Sequence, residues 1–403
     1  MTFDVERLRA RMPALNSGTA FFDGPGGTQT PDVVADAMAA GMKGELANRS
    51  RETQAGRNAD DIVLAARLAI ADLVGAEARG IVFDRSMTAV TFMVARTLAQ
   101  GWGPGDEVVV SRLDHDGDVR PWVTYAELTG ATIRWIDFDP RTGEVDLDQV
   151  RSVVNENTRI VAITGASNVI GTRPPLVAIG EIAHESGALF FVDGVHLTAH
   201  AFIDMAAMGA DFFVCSPYKF LGPHIGVLAA SPALLETMHP DKLKPSTEDV
   251  PERFELGTLP YELLVGVVTA VDLLADLVPG DETTMSRRMR IERSMTALED
   301  YEEGLHARMR EGLAAIPGVH LYSSARHRTP TEFFSFDGHD SGAVSFELAR
   351  RGINAPAGSF YAIEPCEWLG VGKAGAIRAG LAPYSSMGDV DRLLEALSDI
   401  VGV

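Results

Sequence analysis

The sequence predicts an α/β fold, in which helices cover both faces of a parallel or mixed β-sheet, followed by a smaller α+β unit. From about residue 60 the 403-residue chain alternates segments of helical and of strand character. The strand candidates are apolar throughout rather than alternating, which is typical of strands covered on both faces. A hydrophobic content of 46% supports the extensive core that such a fold needs.

The segments follow one another in a regular order. "DIVLAARLAIADLVG" has apolar residues at helical spacing, and "LVAIGEIAHESG" predicts another helix between strands. The first strand candidates are "GIVFDR", "DEVVVSR", "ATIRWIDFD", "TRIVAITGAS", "ALFFVDG" and "DFFVCS". A long charged helix follows and ends at "PG". Beyond it lie the strand candidates "VHLYSS", "EFFSFDG" and "AIRAGLAP" and the helix candidates "SGAVSFELARRG" and "MGDVDRLLEALSDIV".

These segments divide the chain into four parts. We expect residues 1–20 to pack with the small domain and residues 21–281 to form the large domain. Residues 282–315 form the connecting helix, and residues 316–403 form the small C-terminal domain.

Composition excludes several classes of partner. Acidic residues outnumber basic ones by 56 to 35, so the chain lacks the basic surface that nucleic acids and acidic membranes require. The N-terminus is charged from residue 4 onward and has no long apolar segment, which predicts a cytoplasmic protein. Two cysteines are too few for a disulfide framework or a cysteine-based zinc site, and we expect no metal.

Three motifs resemble functional sites but lack their context. "GVGKAG" leads into a strand, the reverse of the order that a dinucleotide-binding turn needs. "DHDGD" has its glycine too early for a calcium loop and reads as a polar loop. No G-x-S-x-G motif follows a strand, so the sequence carries no hydrolase signal.

Polar residues follow three strands and predict one site. Asp193 ends "FFVDG", Ser216 and Lys219 follow "DFFVC", and a helix begins near Thr88 after "GIVFDR". The carboxyl ends of strands form the ligand crevice of an open α/β sheet, and a helix N-terminus suits a phosphate. An amine, a buried carboxylate and a phosphate seat are what pyridoxal phosphate requires. Considered alone, Lys219 could equally be a solvated surface charge, and Asp193 could equally be a residue that forms a turn at the end of its strand.

At this point the chain resembles a known family. The resemblance runs through "FFDGPGGTQTP", "RSMTAVTFMVA", "LDHDGDVRPW", "SNVIGT", "VDGVHLTAHAFIDM", "CSPYKFLGPHIG", "FELGT" and "IRAGLAPYSSMGDVDRLL". It is similar to the class V aminotransferase superfamily of fold-type I pyridoxal-phosphate enzymes, and within it to the cysteine desulfurase and selenocysteine lyase branch. The resemblance implies an aspartate aminotransferase-like fold, pyridoxal 5'-phosphate as cofactor, an amino-acid substrate and a homodimer.

The resemblance assigns a role to each matching residue. Lys219 holds the cofactor as a Schiff base and later moves the substrate's α-proton, Asp193 pairs with the pyridine nitrogen, and His115 stacks on the ring. A histidine in an acidic surface loop is the alternative for His115. The other cofactor contacts are Met87, Thr88, Asn168, His196, Ser216, Tyr218 and, from the partner subunit, Thr258. The substrate contacts are Gly26, Gly27, Asn168, Tyr361 and Arg378, whose guanidinium clamps the carboxylate.

The chain departs from desulfurases at their nucleophilic cysteine. In "GSFYAIEPC" that position aligns with Tyr361, and a phenol cannot accept sulfane sulfur. We expect Cys366 to be structural and Cys215 to lie in the core. The leading prediction is α-proton abstraction followed by β-elimination, a C–S lyase reaction. Transamination or epimerisation is the alternative, and a non-catalytic cofactor-binding partner protein is a third.

Overall fold

The computed structural model describes residues 3–280 and 284–402 and contains a large sheet covered by helices. The strands are β1 Ala20–Phe21, β2 Ile81–Asp84, β3 Glu107–Ser111, β4 Thr132–Ile136, β5 Thr158–Thr164, β6 Leu189–Asp193, β7 Phe212–Cys215, β8 Gly226–Ala230, β9 Val319–Leu321, β10 Thr331–Phe336, β11 Ile353–Asn354, β12 Ala357–Gly358 and β13 Ala376–Gly380. The helices are α1 Val5–Arg9, α2 Asp32–Lys43, α3 Gln54–Val74, α4 Met87–Ala99, α5 Asp116–Thr129, α6 Leu147–Val153, α7 Leu176–Glu185, α8 Pro232–Thr237, α9 Tyr261–Ala275, α10 Arg287–Ala315, α11 Ser341–Arg350, α12 Ile363–Trp368 and α13 Met387–Val401.

Seven strands form the large sheet, in the order β2-β8-β7-β6-β5-β3-β4. β8 is antiparallel to both of its neighbours, and every other pair in the sheet is parallel. The predicted α/β class, with a mixed and mainly parallel sheet, is therefore confirmed. The sequence reading missed β8, because its five residues follow a glycine- and proline-rich turn and carry no pattern of their own.

Both faces of the large sheet are covered along its central strands, which explains why these strands are apolar, whereas the edge strand β4 is partly exposed. In β6, Phe190 and Val192 pack in one hydrophobic cluster with α3, α7 and α9. Phe191, between them, packs on the opposite side with α4 and α5. Alternate side chains of one strand thus enter different layers, and each layer demands an apolar residue.

The C-terminal unit is a four-stranded antiparallel sheet in the order β12-β13-β10-β9. The long helix α10 leads into it from Arg287, five residues later than the predicted start at 282. Near the N-terminus, β1 pairs in parallel with β11, and Arg9 forms an ion pair of 2.8 Å with Asp389. The predicted boundary at 281 and 282 lies outside the described residues, as do the chain ends at 1 and 403, and the domain limits stay predictions.

Two features are absent from residues 3–280 and 284–402. No helix there is long and apolar enough to cross a membrane. No group of three or more histidine, cysteine, aspartate or glutamate side chains in that part of the chain is arranged to hold a metal ion.

Gly226 tests the contact between β8 and the start of α4. A Cβ at position 226 would lie 2.1 Å from the carbonyl carbon of Ser86 and 2.5 Å from the backbone nitrogen of Met87. We expect Gly226→Ala to lower the free energy of unfolding by about 1–3 kcal/mol, because backbone must move to admit the methyl group. Chemical denaturation measures the change. Gly304→Ala, on α10 with no atom within 4 Å of its Cβ, is the control and should stabilise by up to about 1 kcal/mol.

Candidate active site

A cavity of about 630 Å³ opens at the carboxyl ends of the large sheet. Twelve of the predicted site residues line it: Gly26, Met87, Thr88, His115, Asn168, Asp193, His196, Ser216, Tyr218, Lys219, Tyr361 and Arg378. Gly27 lies beside the cavity, where its Cβ would be 3.1 Å from the ring of Tyr218. Thr258 is exposed and does not reach the cavity of its own chain, and its hydroxyl lies 3.4 Å from Asn48 Oδ1. The structure therefore brings together all but two of the predicted residues.

Lys219 lies in a short 3-10 turn, Pro217–Lys219, directly after β7. The side chain is buried, and its Nζ donates a hydrogen bond to the Pro25 carbonyl. Burial, helped by the positive charge of Arg378, lowers the pKa of Lys219 from 10.5 to about 7, against the opposing effect of nearby carboxylates. The amine is therefore largely unprotonated just above neutral pH, as a nucleophile or base must be.

Asp193 ends β6, the strand next to β7. It is 3% exposed, and its Oδ1 accepts a hydrogen bond of 2.8 Å from the Val195 N–H. Burial raises the pKa of Asp193, and the Val195 N–H and the Lys219 ammonium act in the opposite direction. A cationic partner in the cavity would stabilise the carboxylate, which is the state that a protonated pyridine nitrogen needs.

His115 precedes α5 and caps it. Its Nδ1 accepts a hydrogen bond of 2.9 Å from the Gly117 N–H. Burial and then the charge of Lys219 lower the pKa of His115 to about 4, so the ring is neutral at pH 7 and carries its proton on Nε2. The structure thus places His115 in the wall of the cavity and not in a surface loop, which was the alternative.

The start of α4 provides a seat for an anion. Ser86 caps the helix by accepting a hydrogen bond of 3.2 Å from the Ala89 N–H. Met87 and Thr88 are the first helical residues, and N–H groups of a first helical turn have no partner within the helix. Ser216, at the end of β7, lies in the same cavity. A phosphate there would meet backbone donors, hydroxyls and the positive end of the helix dipole.

Two predicted ring contacts, His196 and Asn168, have partners of different kinds. His196 is buried, and its Nε2 lies 2.9 Å from Thr329 Oγ1 and 3.1 Å from Thr331 Oγ1. Asn168 donates a hydrogen bond of 3.1 Å to the Phe360 carbonyl, whereas its own Oδ1 is buried without a hydrogen-bond partner. The residues present fit pyridoxal phosphate, since a buried amide oxygen, an unprotonated amine, a carboxylate and an anion seat all face one cavity.

Arg378 is 2% exposed and lies on β13 of the small domain. Its guanidinium donates hydrogen bonds to Asp23 Oδ1 and, at 3.1 Å, to the Asn168 carbonyl, and it lies 3.8 Å from the ring centroid of Phe360. The sequence reading missed Asp23 and Phe360. Asp23 follows the apolar pair "FF" next to a glycine cluster, which is the one signal that marks it.

A pair of acids beneath His115 was also missed. Asp114 and Asp118 are each 1% exposed, and Trp122 Nε1 donates a hydrogen bond of 3.2 Å to Asp118. Burial raises the pKa of both carboxyls well above the ordinary range. The prediction of a polar loop at "DHDGD" is wrong, because α5 begins at Asp116 and buries these residues against the sheet.

Tyr361 lies at the mouth of the cavity, 75% exposed, with its ring 5.6 Å from that of His115. Neither cysteine of the chain lines this cavity. Cys366 lies in α12 and is 0% exposed, with a pKa that burial raises to about 11. Cys215 lies within β7, where burial raises the thiol pKa further.

Comparison with known proteins assigns the family. The sequence profile described as aminotransferase class-V matches residues 20–393. The chain belongs to this family. It is 31% identical over 403 residues to an uncharacterized protein of Mycobacterium tuberculosis, covering 99% of this chain and 100% of the other. It is 31% identical to a probable cysteine desulfurase of Pseudomonas aeruginosa, covering 96% of each chain.

The solved structures agree with the family assignment. The crystal structure of the cysteine desulfurase CsdA from Escherichia coli superposes with a TM-score of 0.87 at 27% identity, covering 100% of this chain and 99% of the other. This protein is thus a pyridoxal-phosphate-dependent enzyme of fold type I. The predicted family, fold and cofactor are confirmed. The alternative of a non-catalytic cofactor-binding protein loses its support, whereas the individual residue roles stay proposals.

The pKa of Lys219 makes a measurable prediction. Covalent attachment of pyridoxal phosphate to the apoenzyme needs a neutral amine, so we expect its rate to rise with pH, reach half its maximum near pH 7 and then level off. Stopped-flow absorption measures the rate, corrected for ionisation of the cofactor itself. Lys219→Ala should give no attachment. A rate that still rises about tenfold per pH unit at pH 9 would mean an ordinary lysine pKa.

Proposed function

We propose that this enzyme acts on an amino acid with a sulfur substituent on Cβ and releases that substituent by elimination. Family membership supports a reaction at Cα of an amino acid. The proposal of elimination depends on one observation. The cavity contains the unprotonated amine of Lys219, and neither cysteine reaches it. Without a thiolate to accept sulfur, the chemistry left to the site is proton transfer.

The bonds broken follow from the residues present. The bound cofactor supplies an electron sink that stabilises the negative charge formed at the substrate Cα. Lys219 Nζ takes the proton from Cα, and the Cβ–S bond breaks with its electron pair on sulfur. The thiolate then takes that proton from the Lys219 ammonium and leaves as a thiol, since the neutral His115 ring is too weak an acid to supply it. Hydrolysis of the remaining three-carbon enamine yields pyruvate and ammonia.

Arg378 is the proposed partner of the substrate carboxylate. It is fully buried, and Asp23 is its resident counter-ion. Burial lowers the pKa of Arg378 from its ordinary value, and Asp23 opposes that shift, although an arginine remains charged at pH 7. A substrate carboxylate would share the guanidinium with Asp23, so that a buried cation keeps a partner whether or not substrate is present.

Product analysis tests the elimination. Holoenzyme incubated with L-cysteine, L-cystine and S-alkyl cysteines should release one pyruvate and one ammonia for each sulfide, cysteine persulfide or thiol, respectively. Coupled lactate dehydrogenase measures pyruvate, and Lys219→Ala should lower the rate by at least about a thousandfold, since it removes the base. Cys366→Ala should retain activity within about twofold, because a buried thiol of raised pKa takes no part in the reaction.

Three results would contradict this reaction. Stoichiometric conversion of the cofactor to its pyridoxamine form, with release of a keto acid, would identify a transaminase. Incorporation of solvent deuterium at Cα with no loss of the β-substituent would identify an epimerase or racemase. Accumulation of a protein persulfide on the unsubstituted enzyme, together with loss of activity in Cys366→Ala, would restore the desulfurase reaction.

We also propose that the enzyme is a homodimer in which Thr258 reaches the cofactor phosphate of the partner subunit. Thr258 and Asn48 are exposed side by side, next to Leu256, which is 70% exposed. An exposed leucine beside polar residues that cannot reach their own cavity is consistent with an interface. The cytoplasmic location remains a prediction from the sequence.

Mixed dimers test Thr258. When Lys219→Ala and Thr258→Val subunits are combined, action across the interface leaves one site of the mixed dimer with both residues intact. In a 1:1 mixture about half of the dimers are mixed, so we expect mixing to restore about one quarter of the wild-type sites, each with wild-type cofactor affinity, as fluorescence titration measures. If Thr258 acts within its own chain, no site is intact and the affinity stays weakened. Thr237→Val, at an exposed helix end, is the control.

A further inference from the structure

Arg112 follows β3, three residues before His115, and lies between two tryptophans. Its guanidinium carbon is 4.6 Å from the ring centroid of Trp135 and 5.0 Å from that of Trp368. Trp135 belongs to β4 of the large domain, whereas Trp368 ends α12 of the small domain. One flat cation thus stacks between side chains of both domains.

Ion pairs fix the same guanidinium at its edges. Arg112 Nε donates to Asp137 at 2.8 Å, and Nη1 donates to Glu364 of α12 at 3.0 Å. Trp368 is held in addition by a hydrogen bond of 2.8 Å from its Nε1 to the Phe138 carbonyl. These contacts tie α12 to the end of the large sheet through charge, stacking and direct hydrogen bonding.

The segment just before α12 forms a wall of the cavity. The Phe360 ring covers Arg378, and the Tyr361 ring lies beside His115. Backbone contacts hold both residues, since Asn168 donates to the Phe360 carbonyl at 3.1 Å and the Asp116 N–H donates to the Tyr361 carbonyl at 2.7 Å. The segment therefore reaches from Arg378, the proposed partner of the substrate carboxylate, to His115.

Both aromatic residues occupy an unfavourable backbone conformation. Phe360 has φ 53° and Tyr361 has φ 57°, the left-handed region that side chains rarely adopt. Such a conformation persists only where the surrounding contacts hold it in place. The hydrogen bonds from Asn168 and Asp116 to the two carbonyls provide part of that restraint, and the flanking segments, of which α12 is one, add to it.

We propose that Arg112 is a positioning residue for substrate binding: by clamping α12 through Glu364 and Trp368, it holds Phe360 and Tyr361 as the wall that selects the substrate's side chain. Arg112 itself does not line the cavity. The proposal rests on the amino-acid-binding part of the proposed function and not on the elimination step. Loss of the clamp should weaken amino-acid binding and leave proton transfer by Lys219 intact.

Arg112→Ala tests the proposal on the holoenzyme. We expect amide hydrogens of residues 359–369 to exchange about tenfold faster by hydrogen–deuterium mass spectrometry, because α12 loses its stacking and charge contacts. The dissociation constant for L-alanine, which has no β-substituent to eliminate, should rise about tenfold in spectral titration. With any substrate that turns over, KM should rise by a similar factor and kcat should change by less than about twofold.

Matched variants separate the clamp from general damage. Arg134→Ala removes a 2.7 Å ion pair with Glu107 on the same sheet, away from α12, and should alter neither exchange at 359–369 nor L-alanine binding. Arg112→Lys keeps the charge and loses the flat stacking surface, so we expect an intermediate rescue. Glu364→Gln, which keeps the volume of the side chain, replaces Arg112→Ala as the test variant if the latter does not fold.

The outcomes decide between a clamp and a purely structural arginine. Unchanged exchange at 359–369 in Arg112→Ala would overturn the proposal, whether or not the enzyme eliminates anything. An equal loss of L-alanine affinity in Arg134→Ala would overturn it too, because the effect would then be general. Absence of pyruvate from every substrate, together with the expected exchange and binding results, would reject the elimination and leave the clamp in place.

Discussion

The removal of water from Lys219 is the constraint on which the rest of the site depends. An amine is a nucleophile only when it is unprotonated, and in this chain burial is the largest cause of its lowered pKa. Burial requires that β6 and β7 end side by side in the core and that the Pro25 carbonyl accept the hydrogen bond that water would otherwise make. A nearby carboxylate favours the ammonium form, so Asp193 and Asp23 set the limit to how far the pKa falls.

Lys219, Asp193 and Arg378 are buried in the cavity, and their charges are offset by neighbouring groups of opposite charge. Arg378 is buried with Asp23, and the imidazole of His115 stays neutral mainly because it is buried, with the positive charge of Arg378 acting in the same direction. An anion seat at the start of α4 completes the set. A dianionic phosphate and a substrate carboxylate would therefore enter a region whose fixed donors point inward, which lowers the cost of desolvating them.

The small domain contributes the parts that distinguish this chain. Arg378 comes from β13, and Phe360 and Tyr361 come from the segment between β12 and α12. The large domain alone would hold the cofactor groups but would leave the substrate side open to water. The contact of the two domains through the Arg112 stack thus bears on which amino acid binds, whereas the strand ends of the large domain bear on the cofactor.

The sequence by itself determined the fold class and the family and predicted most of the residues that line the cavity, because apolar strands and the residues that end them are local patterns. Lys219, Asp193 and Thr88 could be placed at one sheet edge from strand order alone. Only the tertiary structure decided the pairing of Arg378 with Asp23, the burial of Asp114 and Asp118, and the stacking of Arg112, since each joins or buries groups whose surroundings are distant in the chain. The tertiary structure also decided the pKa of Lys219. Desolvation depends on every atom packed around the amine, and no sequence motif specifies those atoms.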